Sequence, residues 1–276
     1  MTDGTVQETP AAASSPVRIE RHDGGRVAEL VLDRPEAMNA VSTAMAQALA
    51  DACAELAALA RTGEVRAVVV TSSHPKAFCV GADLKERKTF SDADLMAQRP
   101  IARSAYTGVL DLPVPAIAAV DGFALGGGCE IALSCDIIVA GREATVGLPE
   151  VSVGVIPGGG GTQLLIRRVG SSTAALLIFT AERMSAQRAH DLRVVDEVVD
   201  AGQARERALE LATLIAGNSP VGVRNAKKAM RLGADVDLAA GLEIEDGCWR
   251  ATAFSGDRRE GVAAFNEKRR PDWPGV

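Results

Sequence analysis

Apolar segments of two periods alternate along this chain as far as about residue 200, and beyond it only the helical period continues. Residues 17–33 read VRIERHDGGRVAELVLD, alternating on either side of Gly24-Gly25, which predicts a β-hairpin. Ser42 is placed to cap an Ala/Leu-rich helix that runs to about Arg61 and stops at Gly63. RAVVVTS at 66–72 has the pattern of a buried strand, followed by the loop KAFCVGADLKE and a polar helical stretch at 92–110. Pro113 and Pro115 lead into the strand AIAAVDG. Gly126 to Gly128 then open the helix CEIALSC, DIIVAG returns as a strand, and a short strand follows at 145–147. Pro157 and four glycines precede the helix TQLLIRRVG, and short helices lead to a last strand in VVDEVVD. Helices are predicted at 203–216, after Pro220, from Asp237, and at 257–270. Strand–helix alternation followed by helices alone predicts an α/β core with a helical C-terminal extension. The expected divisions are a disordered tail at 1–15, a core at 16–200 and a helical region at 201–276.

Composition narrows the possibilities. With 276 residues the chain is long enough for one large domain and an appendage. Aromatics are only 3% against 47% hydrophobic residues, so the core must be built from Ala, Val, Leu and Ile, which suits closely packed helices and strands. A net charge of −6 gives a nucleic-acid partner no general attraction. The five cysteines form no C-x-x-C pair, which argues against a disulfide framework or a structural zinc and for a reducing compartment. No apolar run reaches the ~18 residues that would suggest a membrane helix. The first sixteen residues hold two acids, no basic residue and no apolar stretch, so they read as a tail rather than a targeting peptide; the expected location is cytoplasmic.

Several familiar sites are missing. No phosphate-binding G-x-x-x-x-G-K-[ST], dinucleotide-type glycine pattern followed by an acid, or G-x-S-x-G turn occurs, and His22, His74 and His190 stand apart. Three backbone features remain. Gly126-Gly127-Gly128 leads directly into a helix, whose free N–H groups and positive end can hold an anion or a developing oxyanion. Glycines can equally serve there only to bring strand and helix close. Pro157-Gly158-Gly159-Gly160-Gly161 is a second junction of that kind, and FCVGAD at 78–83 is a turn at a strand end. Two carboxylates lie beside these features. Glu130 falls in the first helical turn after Gly126–Gly128, where the helix dipole alone would favour it. Glu150 follows Pro149 in a turn, where it could simply be solvated.

In order and spacing, LDRPEAMNAVS, KAFCVGADLKE, VDGFALGGGCEIALSCDIIVA, VGLPEVSVGVIPGGGGTQ and DRREGVAAFNEKR resemble the enoyl-CoA hydratase/isomerase, or crotonase, family, over nearly everything from residue 16 onward. The resemblance implies an α/β spiral of β-β-α turns with C-terminal helices that build a homotrimer, often a dimer of trimers. It implies an acyl-CoA thioester as substrate, with coenzyme A entering with that substrate rather than as a resident cofactor; no metal is expected, and the charge and the short apolar runs leave no nucleic-acid or membrane partner expected. The family's oxyanion hole maps to the backbone N–H groups of Ala82 and Gly127. Its two hydratase acids map to Glu130, which would activate the attacking water, and Glu150, which would deliver a proton to C2. Gly158 would steady the water or Glu150. Contacts to coenzyme A map to Ala37, Met38, Asp83, Leu84 and Lys85, and Lys268 would reach the nucleotide, with a helix-terminal cation as its plainer role. Retention of both glutamates implies hydration of a 2-enoyl-CoA to a 3-hydroxyacyl-CoA. The C-terminal stretch 236–261 looks closer to methylglutaconyl-CoA hydratase-like members than to the mitochondrial short-chain enzyme, a look that many bacterial-type members share, so the acyl group stays open. An isomerase, or an RNA-binding relative, is the alternative that family implies.

Overall fold

The computed structural model describes residues 15–276, so the expected N-terminal tail lies, apart from Ser15, outside the described residues. The hairpin forms from β1 (Val17–His22) and β2 (Val27–Leu32), paired antiparallel through a 3-10 turn at Asp23–Gly25. Helix α1 (Thr43–Thr62) starts where the Ser42 hydroxyl accepts from the Met45 N–H and ends at Gly63, whose φ of 83° is readily available only to glycine.

From there the chain winds a repeated pattern: one strand into a large sheet, the next into a small sheet, then helix. β3 (Ala67–Ser72) enters the large sheet and β4 (Ala77–Cys79) the small one, followed by α2 (Leu84–Arg87) and α3 (Asp92–Leu110). β5 (Ala116–Val120) and β6 (Phe123–Leu125) repeat the move before α4 (Gly127–Ser134). β7 (Ile137–Gly141) and β8 (Thr145–Gly147) do so again, before a 3-10 turn at Glu150–Val153, α5 (Gly161–Val169) and α6 (Ser171–Phe179). β9 (Arg183–Ser185), α7 (Ala186–Asp191) and β10 (Glu197–Val199) complete both sheets. The large sheet has the order β1-β2-β3-β5-β7-β10 and the small one β4-β6-β8-β9. All neighbours pair parallel except β1 with β2 and β8 with β9.

Period-two alternation divides the large sheet between two cores. Leu30, Val68, Val70, Ala118 and Ile138 face the main core under α1, α3 and α4. Val27, Val69, Ile117 and Val139 face the other way, against Ala204, Ala208, Ala212 and Ala216 of α8 (Ala204–Ala216). Alanines at i, i+4, i+8 and i+12 let that helix lie close on the strands. The division drawn after residue 200 therefore cuts through one packed unit, because α8 closes the far face of the core sheet.

α9 (Pro220–Gly233), α10 (Leu238–Ala253) and α11 (Gly256–Glu267) pack mainly on one another. Lys227 and Arg231 tie α9 to the core by donating to Asp136 at 2.7 and 3.0 Å. The buried Asp257 carboxylate accepts from Ser219 Oγ, Val221 N and Gly275 N, fixing both α9 and the C-terminus. The last helix stops three residues short of the expected Arg270, because Lys268 turns left-handed at φ 52°. Among the described residues no helix is long and apolar enough to cross a membrane.

Candidate active site

A cleft of about 540 Å³ opens where α3, α4, the Gly81 turn and the 150–159 segment meet, and Ala82, Gly127, Glu130 and Glu150 all line it. Its floor is made by backbone packed too closely for side chains. A Cβ at Gly128 would overlap the Cys79 carbonyl, and one at Gly81 would lie 2.8 Å from the Leu125 oxygen and 3.1 Å from the Gly127 nitrogen. Gly126 itself holds φ 54°, ψ −125°, a conformation that excludes larger residues. Close packing and ligand approach therefore coincide at this junction; the two readings of the glycines are compatible.

Two backbone N–H groups of cleft-lining residues stand outside the bonds that build this junction. Val41 donates to the Gly81 carbonyl at 2.7 Å and accepts from Asp83 N at 3.1 Å, so the intervening Ala82 N–H points away from that bridge. Gly127 is the first residue of α4, where N–H groups have no partner within the helix.

The two glutamates meet contrasting surroundings. Glu130 is 3% exposed, and its Oε1 accepts from Gly159 N at 2.6 Å and Gly161 N at 2.8 Å. Burial raises its pKa, while those N–H groups and the Arg99 cation oppose the rise. Both carboxyl oxygens of Glu150 are buried, and neither has a hydrogen-bond partner of regular geometry. Burial pushes its pKa up to about 7; the nearby Glu130 charge adds to the rise and only its own backbone N–H opposes it. One acid is thus held so that its anion is supported, and the other so that its protonated form is favoured.

Gly158 was expected to steady the attacking water or Glu150. Within its turn the N–H groups of Gly159 and Gly161 hold Glu130, because α5 begins directly behind α4, while Gly158 offers its carbonyl to Arg99 at 2.6 Å. Of the residues mapped to coenzyme A, Leu84 lines the cleft. Asp83 faces inward: its carboxylate accepts from Arg34 at 2.6 Å and from the N–H groups of Lys85 and Glu86, capping α2. That ion pair ties the Ala37–Met38 turn to α2, and Met38 O accepts from Val80 N, so Ala37, Met38, Leu84 and the exposed Lys85 gather at one edge. Lys268 is exposed at the end of α11, away from the cleft lining of this chain.

α3, whose first half falls in the stretch 86–100 expected to border the acyl pocket, supplies Gln98, Arg99, Ala102 and Tyr106 to the cleft, and none of these four was singled out from the sequence. The signal was present in the stripe Ala102, Ala105, Tyr106, Val109, which turns Tyr106 inward to 5% exposure. Its hydroxyl lies where a Cβ on Gly127 would fall, and burial pushes its pKa up. None of the three histidines lines the cleft. His22 binds Glu29 at 2.8 Å; Glu20, His22 and Glu29 lie close enough to hold a metal, but Glu29 already accepts from Thr71 and twice from Arg205.

Two buried carboxyls with different hydrogen-bond partners thus line one cleft, beside the first residue of α4 and the Gly81–Ala82 turn. The chain belongs to the enoyl-CoA hydratase/isomerase family, whose model matches residues 22–275. It is 42% identical over 255 residues to the enoyl-CoA hydratase domain-containing protein 2 of Bos taurus mitochondria, covering 90% of this chain and 84% of that protein. It is 40% identical over 263 residues to the mitochondrial methylglutaconyl-CoA hydratase of Mus musculus, covering 94% and 83%. The crystal structure of an enoyl-CoA hydratase from Bacillus anthracis superposes with a TM-score of 0.90 at 37% identity, covering 95% of this chain and all of that one. The spiral of strand–strand–helix turns is the crotonase fold.

Proposed function

We propose that this protein hydrates 2-enoyl-CoA thioesters to 3-hydroxyacyl-CoA, in fatty-acid or branched-acyl breakdown. The contrast between Glu130 and Glu150 within one cleft carries this reading, since adding water requires one group to take a proton and another to give one. The thioester carbonyl accepts from Ala82 N–H and Gly127 N–H. Glu130 takes a proton from water as the water oxygen bonds to C3, and the electrons of the C2–C3 double bond move onto the thioester oxygen as an enolate. The two donors stabilise that charge, with one such donor typically contributing ~3–4 kcal/mol. Glu150 then protonates C2, and proton exchange with solvent resets both acids. Dehydration runs the same steps backwards.

The Ala37–Met38 and Leu84–Lys85 edge is the side on which coenzyme A would lie, with Lys268 reaching a nucleotide only from another subunit. Exposed apolar residues on and between α9 to α11, such as Phe254 and Phe265, support a homotrimer or a dimer of trimers; the location we propose is cytoplasmic. Similarity to methylglutaconyl-CoA hydratase supports a branched, acidic acyl group as a second candidate substrate. The experiment is product analysis with crotonyl-CoA and with methylglutaconyl-CoA in heavy-oxygen water. One solvent oxygen at C3 of the product is expected; double-bond migration without oxygen uptake would mean an isomerase instead.

A further inference from the structure

α3 reaches across the cleft to the second glycine turn through Arg99, whose Nη2 donates to the Gly158 carbonyl at 2.6 Å. The approach depends on glycine, because a Cβ on Gly158 would lie 3.1 Å from Nη1 and 3.5 Å from Cζ. The next two N–H groups with an acceptor in that turn, those of Gly159 and Gly161, hold the Glu130 carboxylate. Arg99 has no acid among its helical neighbours Leu95, Met96, Ala102 and Arg103, so nothing on its own helix face draws its charge away.

We infer that Arg99 is a positioning residue for Glu130, clamping the 158–161 turn through the Gly158 carbonyl and adding a positive charge beside the carboxylate that the turn holds. The inference rests on Glu130 being the group that activates water. Besides the turn's own N–H groups, which support the anion, the cleft around Glu130 holds acidic groups and thiols, with Arg87 from α2 and Arg183 from β9 as further cations in its lining. Tyr106 comes from α3, Glu150 from the 3-10 turn, and the buried thiols Cys79 and Cys129 from β4 and α4. From α5, Gly161 supplies its N–H, while the Arg168 guanidinium is engaged with the carbonyls of Cys135 and Asp136 and with Asp196. The Arg99 charge acts to keep Glu130 ionised.

Arg99 is exposed, so its replacement leaves the core intact and isolates this role. The test is a titration of the glutamate carboxyls by isotope-edited infrared spectroscopy on wild type, Arg99→Met and Arg99→Lys, with the Glu130 band identified by its loss in Glu130→Gln. In Arg99→Met the Glu130 titration should move upward by ~0.5–1 pH unit, at the low end for a neighbouring charge because the arginine is exposed. Arg99→Lys should return it to the wild-type position. With crotonyl-CoA, Arg99→Met should lower kcat about tenfold, change KM less than about twofold, and move the acidic limb of the rate profile upward. An unmoved Glu130 titration in Arg99→Met overturns the inference whatever the turnover. A shifted titration in a protein that does not hydrate any enoyl-CoA upholds the clamp and refutes the hydratase reading instead.

Discussion

Glu130 receives two backbone N–H groups, while the oxygens of Glu150 are sealed against Gly126 with none, and from that difference a pH dependence follows. Hydration needs Glu130 ionised and Glu150 protonated. With the Glu150 pKa raised to about 7, kcat/KM for hydration should fall as pH rises through that value, and kcat/KM for dehydration should fall in parallel, because both directions use the pair carrying one proton and the reaction has no net proton change. Steady-state rates in both directions across pH check this; a kcat/KM that stays level through that value would contradict the division of roles. Stability follows the same group. An acid whose pKa is raised on folding binds its proton more readily in the folded state than in the unfolded one. The folded state therefore loses stability as pH climbs from the ordinary value of 4.5 to about 7, and the whole penalty is present above that. Glu150→Gln should accordingly raise the melting temperature at about pH 9 and leave it nearly unchanged at about pH 4, a difference on the order of 2 kcal/mol after allowance for partial exposure.

At the scale of elements, the glycine junctions hold the site together. Gly159→Ala would place a methyl 2.6 Å from the Tyr106 ring and 2.8 Å from Glu130 Oε2. It should cost about 1–3 kcal/mol by overpacking and cut kcat more than it raises KM, measured by melting and steady-state kinetics. The elements most legible in the sequence are those with chemical punctuation. Ser42 and Gly63 bracket α1, and α3 keeps its expected ends at 92 and 110 despite Pro100, because Ser91 and Asp94 form a capping box. β4, β6 and β9 were not legible: three residues are too few to show a period of two, so of the small sheet only β8 was predicted, and the spiral of β-β-α turns came only from the family resemblance. The positions of Ala82, Gly127, Glu130 and Glu150 around one cleft followed from motif order. Arg99 did not, since a lone surface arginine on a polar helix has no periodic signature. That Gly159 and Gly161 hold Glu130 was not legible either, because four consecutive glycines do not reveal which of their N–H groups turns inward.

For the whole molecule, the central contrast is between a core of small aliphatic residues and a C-terminal layer with large side chains left outside. Phe254 and Phe265 are 80% and 84% exposed, and Met230, Leu238 and Trp249 lie on neighbouring helices of the same layer. Apolar surface on that scale is costly for a lone protomer. Sedimentation equilibrium should give a mass near three or six times the protomer's 28.7 kDa, and Phe254→Asp together with Phe265→Asp should lower it. A monomer at micromolar concentration would count against the assembled form. Inside each protomer, Asp136 binds both Lys227 and Arg231, joining this layer to the α4–β7 connection behind Glu130. The half-buried Asp136 thus joins the C-terminal layer to the helix that carries Glu130.

The account depends on two glutamates acting in opposite senses, and crotonyl-CoA hydration by Glu130→Gln, Glu150→Gln and the double variant tests that most directly. Loss of the enoyl-thioester absorbance should slow at least ~10²-fold in each single variant, the low end for a general acid–base group. The double variant should be little worse than the slower single one, because the two residues act as a unit. Near wild-type turnover in the double variant would contradict the account.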